Sequence, residues 1–121
     1  MRLNLQKENA ELVSLLMELK QASKANEAAV WSAVAEKLAR PRHRARPLNV
    51  GHLDRLAAAD DVVVVPGKVL ASGRLTKSIT IGAYHYSTEA RSKIENAGGK
   101  ALTIPELLKA HPDGAGVRLL A

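Results

Sequence analysis

VVVVPG, Val62 to Gly67, is the stretch that decides how this chain folds. Four consecutive β-branched residues carry neither a helical period nor an alternation of apolar and polar. They fit a short strand buried on both faces, and Pro66-Gly67 reads as the turn signal that closes it. Such a strand needs cover on both sides and partners on its edges. Downstream, SITIGAY (Ser78 to Tyr84) reads as a second strand. STEARSKIENAGG reads as a helix capped by Ser87 and ended at Gly98-Gly99, where glycine accepts the left-handed C-terminal conformation. Ala101 to Ile104 gives a third short strand. Pro105 opens a further helix, PELLKA, at the first-turn position that suits proline. HPDGAG is a turn, and VRLL a last strand or extended tail. Strand, helix, strand, helix, strand predicts an α/β arrangement with short, mainly parallel strands.

Upstream the period is helical. Leu5, Leu12, Leu15, Leu16 and Leu19 recur at three, four and seven, which predicts an amphipathic helix over about 5–23. Asn26 reads as the cap of a second helix through Val30, Val34 and Leu38, stopping near 39, before Pro41. The stretch from Arg40 to Pro47, RPRHRARP, reads as irregular chain, and Asn49 as the cap of a short helix through Val50, Leu53 and Leu56. The chain thus divides near residue 60, into a helical part (1–60, with basic loop 40–47) and an α/β part (61–121). No linker separates them, so the expectation is a single domain over 1–121.

Composition narrows the function. Of 121 residues 46% are apolar, but the only aromatics are Trp31, Tyr84 and Tyr86, so the core is built from Leu, Val, Ile and Ala. No apolar run approaches the ~18 residues of a membrane span, and the mixed, charged N-terminus does not read as a secretory signal. Cysteine is absent, which excludes disulfides, thiolate metal sites and cysteine nucleophiles and fits an intracellular address. The net charge is +6 and the pI about 9.9. Residues 1–36 carry four basic and five acidic groups, residues 37–77 nine and three, and residues 78–121 five and four. The middle third supplies the whole excess, as expected of a positive face that meets a polyanion.

Two stretches hold that excess. Arg40, Arg42, Arg44 and Arg46, with His43 among them, present guanidinium forks that pair bidentately with phosphate, and Pro41 and Pro47 bias their neighbours to extended backbone. A solvated loop and a nuclear-localisation signal are the competing readings of that run. VPGKVLASGRLTKS adds Lys68, Arg74 and Lys77, with Gly67 and Gly73 allowing close backbone approach and positive φ. A phosphate-binding P-loop is excluded by spacing, since Val62 stands where its first glycine belongs and Val69 where its hydroxyl residue belongs. A basic turn of purely structural use is the alternative.

Other candidates are weaker. His43, His52, His85 and His111 show no metal-ligand spacing. Asp60-Asp61 reads as a solvated turn, Ser87 as a helix cap rather than a nucleophile, and His111 and Asp113 as flanks of a proline turn. Trp31 reads as core. Tyr84 and Tyr86, two apart on a strand, either stack on bases from one face or are simply half-buried.

Taken in order, LVSLLMELK, AAVWSAVAEKLARPR, LNVGHLDRL, VVVVPGKVLASGRL, SITIGAYHYSTEARSKIENAGGKALTIPELL and HPDGAGVRLL resemble the L-eighteen-e family of archaeal and eukaryotic large-subunit ribosomal proteins, relatives of the L-fifteen proteins. VPGKVL-x-x-G-x-L and the closing Gly-x-Gly-Val-Arg are the most specific elements, and the match spans most of the chain. The resemblance implies an α/β fold in which helices precede a small layered strand–strand–helix core. It also implies a non-enzymatic constituent of the large subunit, without cofactor, small-molecule substrate or membrane association. Its expected partners are ribosomal RNA and neighbouring ribosomal proteins in the cytoplasm. Ala71 stands where the family often has glycine, and Gly82 interrupts the second strand as a bulge would. The RNA contacts expected from charge are Arg40, Arg42, His43, Arg44 and Arg46 as a main clamp and Lys68, Arg74 and Lys77 as a second patch, with Arg55 between them. A non-ribosomal RNA-binding or RNA-chaperone module, and a small phosphate-handling enzyme built on the Gly67-Lys68 turn, are the rival readings.

Overall fold

The computed structural model describes residues 2–120, with side chains from Ala10 onward. Three helices come first: α1 (Arg2–Asn26), α2 (Ala29–Leu38) and α3 (Pro41–Ala45). They lead into β1 (Pro47–Asn49), α4 (Val50–Leu56), β2 (Val62–Leu70) and β3 (Thr80–Tyr86). The chain continues through α5 (Thr88–Asn96), β4 (Lys100–Thr103), α6 (Ile104–Ala110) and β5 (Val117–Leu119).

All five strands pair in parallel, in the order β1-β2-β3-β4, with β5 added to β2. The long strand β2 is the axis of the sheet. β3 lies along one edge, and β5 and β1 share the other, opposite Val62–Val64 and Lys68–Leu70 respectively. The four valines alternate as a two-faced strand must: Val63 and Val65 join an apolar cluster with Val50, Leu53, Ile81 and Ile94. Val62 and Val64 face a second cluster with Leu15, Leu19, Trp31, Leu38, Ile104 and Leu107. Helices α4 and α5 therefore cover one face and α1, α2 and α6 the other. Each buried valine contributes about 1.5–3 kcal/mol of apolar transfer, so both faces hold the strand. The α/β class with short parallel strands is as the sequence predicts.

Several local expectations are corrected. Pro66-Gly67 does not end β2, because the register against β3 shifts between Val65 and Lys68. That irregularity accommodates the proline's missing N–H and lets the strand run on to Leu70. Gly82 is no bulge: it pairs regularly with Val64 and Leu102, and a Cβ there would lie 2.6 Å from Leu107 Cδ2, so it makes room for α6. Asn26 belongs to the end of α1, where its side-chain amide donates to Ala22 O at 3.0 Å, and α2 begins at Ala29, after Ala28, which gives it no side-chain cap. Leu5 of the predicted stripe lies outside the side chains described. The other caps follow the sequence: Ser87 Oγ accepts from Ala90 N, and Thr103 and Glu106 form a reciprocal capping box. Gly98, at φ +87°, is left-handed just beyond the end of α5, as predicted.

Candidate nucleic-acid interface

The arginine stretch is a helical turn rather than irregular chain. Pro41 sits in the first turn of α3, where its absent N–H costs nothing, and His43 and Arg44 N–H groups both donate to Arg40 O. Arg40 and Arg46 on either side are extended, as residues preceding proline should be. A single turn splays its side chains, so the five basic groups take different tasks. Arg40, Arg42 and Arg46 are exposed. Arg44 is half-buried, and its guanidinium donates to Leu38 O at 2.7 Å, satisfying a terminal carbonyl of α2. His43 is half-buried beside Pro66 and Gly67. Desolvation first, then the charges of Lys37, Arg40 and Arg46, hold its pKa below the ordinary histidine value.

The second basic stretch comes to the first by close backbone approach. A Cβ on Gly67 would stand 2.6 Å from Arg46 O and 2.9 Å from His43 O. Only glycine lets β2 pass so near the arginine turn. Lys68 N donates to Arg46 O at 3.1 Å, and Pro47 and Lys68 are register partners in the parallel β1–β2 pair. Gly67 itself has no positive φ; Gly73 does, at +92°. Arg46 and Lys68 are thus joined through their backbones, with Arg40 and Arg42 exposed on the turn just before, on the β1 side of the central strand. Across β2 and β3, Lys68 is in register with His85, which is exposed.

From Pro47 an open groove runs between α4 and the turn at Ser72–Arg74, with His52, Arg55 and Arg74 on its walls. The backbones meet there: a Cβ on Gly73 would lie 2.7 Å from Gly51 Cα, and Gly51 N donates to Ser72 O at 3.0 Å. The turn is tied from three sides. Asn49 Oδ1 accepts from Ser72 N at 3.3 Å rather than capping α4. The Asp54 carboxylate accepts from Thr76 N at 2.9 Å and from Thr76 Oγ1 at 3.0 Å. Lys93 Nζ, from α5, donates to Ala71 O at 2.6 Å and Gly73 O at 2.8 Å. The Thr76 N–H is the main reason the Asp54 carboxyl lies below its ordinary pKa. Lys77 turns inward and donates to Asp54 O at 2.5 Å and Ala57 O at 2.9 Å, closing the C-terminal end of α4.

Of the nine residues predicted from charge, the structure therefore joins Arg46 to Lys68 by backbone contact, leaves Arg40 and Arg42 exposed on the adjacent turn, and places Arg55 and Arg74 on a groove that begins at Pro47. Arg44 and Lys77 hold helix ends, and His43 is packed against β2. Sequence reading missed His85 beside Lys68, His52 on the groove, and Asp54 and Lys93 as ties of its turn. Those ties span 20 to 23 residues, so no local spacing announces them.

The tyrosines do not form a stacking pair. Tyr84 packs with the α1–α2–α6 cluster and Tyr86 with the opposite one. The Tyr86 hydroxyl has Ile81 O and Leu102 O both within reach of its one proton, Arg91 lies 5.2 Å above its ring, and burial raises its pKa above the ordinary phenol range. Asp61 accepts from Ala58 N at 2.8 Å and from Arg118 at 3.1 Å, a turn anchor rather than a solvated acid. No group of His, Asp and Glu able to hold a metal ion occurs among the described residues.

Comparison with known proteins supplies the context for this face. The family described as ribosomal protein 60S L18 and 50S L18e matches residues 2–121. The chain is 47% identical to large ribosomal subunit protein eL18 of Archaeoglobus fulgidus, over 96% of this chain and 99% of the relative. It is 46% identical to the eL18 protein of Pyrobaculum aerophilum, over 93% and 92%. For that of Methanopyrus kandleri the identity is 44%, over the same two shares.

Proposed function

The chain belongs to the family of ribosomal protein 60S L18 and 50S L18e, and from that premise we propose how it serves as a structural constituent of the large ribosomal subunit. Arg40, Arg42, Arg46 and Lys68 form its main contact with ribosomal RNA, gripping phosphate oxygens where the arginine turn meets β2. The observation that carries this reading is the approach of Gly67 to Arg46 and His43, which merges two basic stretches into one face. Phosphate contacts of this kind position a protein without reading bases, so specificity follows from the shape of the folded RNA. The near-neutral helix α1 exposes Val13 and Met17 and is the face offered to neighbouring ribosomal proteins. The chain works as a single domain over 1–121, since Leu15 and Trp31 share one apolar cluster with Val64 and Leu107. Its family supports a structural rather than enzymatic role, and Gly67, within β2 and buried under the arginine turn, offers no open cradle for a nucleotide phosphate.

Replacing Arg40, Arg42 and Arg46 together by Ala should lower the log–log salt slope of binding to large-subunit RNA by about two to three units, close to one for each phosphate no longer neutralised. Arg44→Ala should leave that slope nearly unchanged. A triple variant with the wild-type slope would remove the arginine turn from the interface. Co-sedimentation with large subunits washed in high salt separates a subunit constituent from a free RNA-chaperone module.

A further inference from the structure

Asp54 is an acid in the middle of the most basic third of the chain. Charge alone makes it unfavourable to any polyanion at this face, yet it is built in with care. Its carboxylate holds the amide and hydroxyl of Thr76, and its backbone carbonyl holds Lys77. On the far side Lys93 holds the carbonyls of Ala71 and Gly73. Between these ties stands Arg74, which lines the same groove as Arg55, beside the close approach of Gly73 to Gly51. Residues 71–79 contain no helix or strand, so these ties set the position of Arg74. A turn fixed beforehand binds more tightly than one that must be ordered on contact, because the ordering entropy is already met.

We propose that the groove between α4 and the Ser72–Arg74 turn is a preformed second seat for an RNA backbone segment, and that Asp54 is the positioning residue that holds it in shape. The proposal rests on the RNA-binding reading above and extends it: Arg55 and Arg74 supply the charge, and Asp54, which repels the ligand at long range, supplies the geometry. Lys77 and Lys93 belong with Asp54, as ties rather than phosphate ligands.

Charge and geometry predict opposite signs for one substitution. Asp54→Ala removes a negative charge, so attraction alone would tighten binding to deproteinised large-subunit RNA. Positioning predicts binding weaker by about fivefold, the scale of one missing hydrogen bond, with a salt slope reduced toward that of the Arg55→Ala/Arg74→Ala double variant. Asp54→Asn, which keeps an acceptor for Thr76, should recover part of the loss although its charge equals that of Asp54→Ala. Thr76→Val, which changes no charge, should weaken binding in the same direction, and guards against an Asp54→Ala protein that fails to fold. In the Arg55→Ala/Arg74→Ala background, Asp54→Ala should cause no further loss if it acts through those arginines. Tighter binding by a folded Asp54→Ala protein, equal affinities for Asp54→Ala and Asp54→Asn, or additive losses in the double-arginine background would each overturn the positioning role. Unchanged affinity and slope on removal of Arg55 and Arg74, while the Arg40/Arg42/Arg46 variant still loses slope, would overturn the groove and leave the main clamp standing. Failure of the wild-type protein to bind the RNA in a salt-dependent way would overturn the RNA-binding reading itself.

Discussion

His43 lies half-covered by β2, with Lys37, Arg40 and Arg46 around it. Desolvation and like charges both disfavour its imidazolium, so the folded value lies below the ~6.5 of an ordinary histidine. The sign for stability follows. The contribution of this group is present above the unfolded pKa and is lost as pH falls through the folded one. A proton NMR titration should therefore place the His43 midpoint below ~6.5, and Arg46→Ala should move it upward. An ordinary midpoint in the wild-type chain would contradict this account. Arg44 and Lys77 carry a companion lesson. Both are read from the sequence as phosphate ligands, and in the structure both donate to carbonyls at helix ends. Formal charge is legible in a sequence, but the direction of a long side chain depends on which orphan carbonyl folding leaves within reach.

The joining of β1 to β2 depends on one absent methyl group. Alanine at position 67 would meet Arg46 O and His43 O, which are backbone atoms with no rotamer to escape into. Gly67→Ala should destabilise the fold by about 1–3 kcal/mol, the usual scale of overpacking, measured by urea unfolding. It should also speed hydrogen exchange at the Lys68 amide, whose acceptor is Arg46 O. Element types were largely legible where the pattern was long or chemically explicit: the valine run, the Ser87 cap and Pro105 all behave as their residues dictate. The misreadings cluster where tertiary contact overrides local preference. Pro66-Gly67 is a strong turn signal in isolation, yet pairing on both edges carries the strand through it. The arginine run lacks any apolar period, so its helical turn could be seen only once Pro41 was placed at the start of a helix. Charge singled out Arg55 and Arg74, but the groove they line was not legible, because Asp54, Thr76 and Lys93 meet the turn only through packing.

At the scale of the whole molecule, Trp31 ties the first third of the chain to the last. It is fully buried in α2, and its indole N–H donates to Pro112 O at 3.1 Å. Trp31→Phe removes the donor and part of the ring, and should lower stability by about 1–3 kcal/mol, read by circular dichroism. In the wild-type chain the fluorescence of this single tryptophan should change together with the circular dichroism on denaturation, as in a two-state transition. Separate midpoints would mean that the helical and α/β parts melt independently. The way β2 collects its neighbours has a consequence in time. Its lower half waits for β5, at Val117–Leu119, some fifty residues later in the chain. Because every pairing is parallel, no hairpin can nucleate the sheet, and each new edge closes a long loop. During translation the nascent chain therefore holds an unfinished valine edge until Val117–Leu119 have left the exit tunnel, a vulnerable interval for the half-formed sheet.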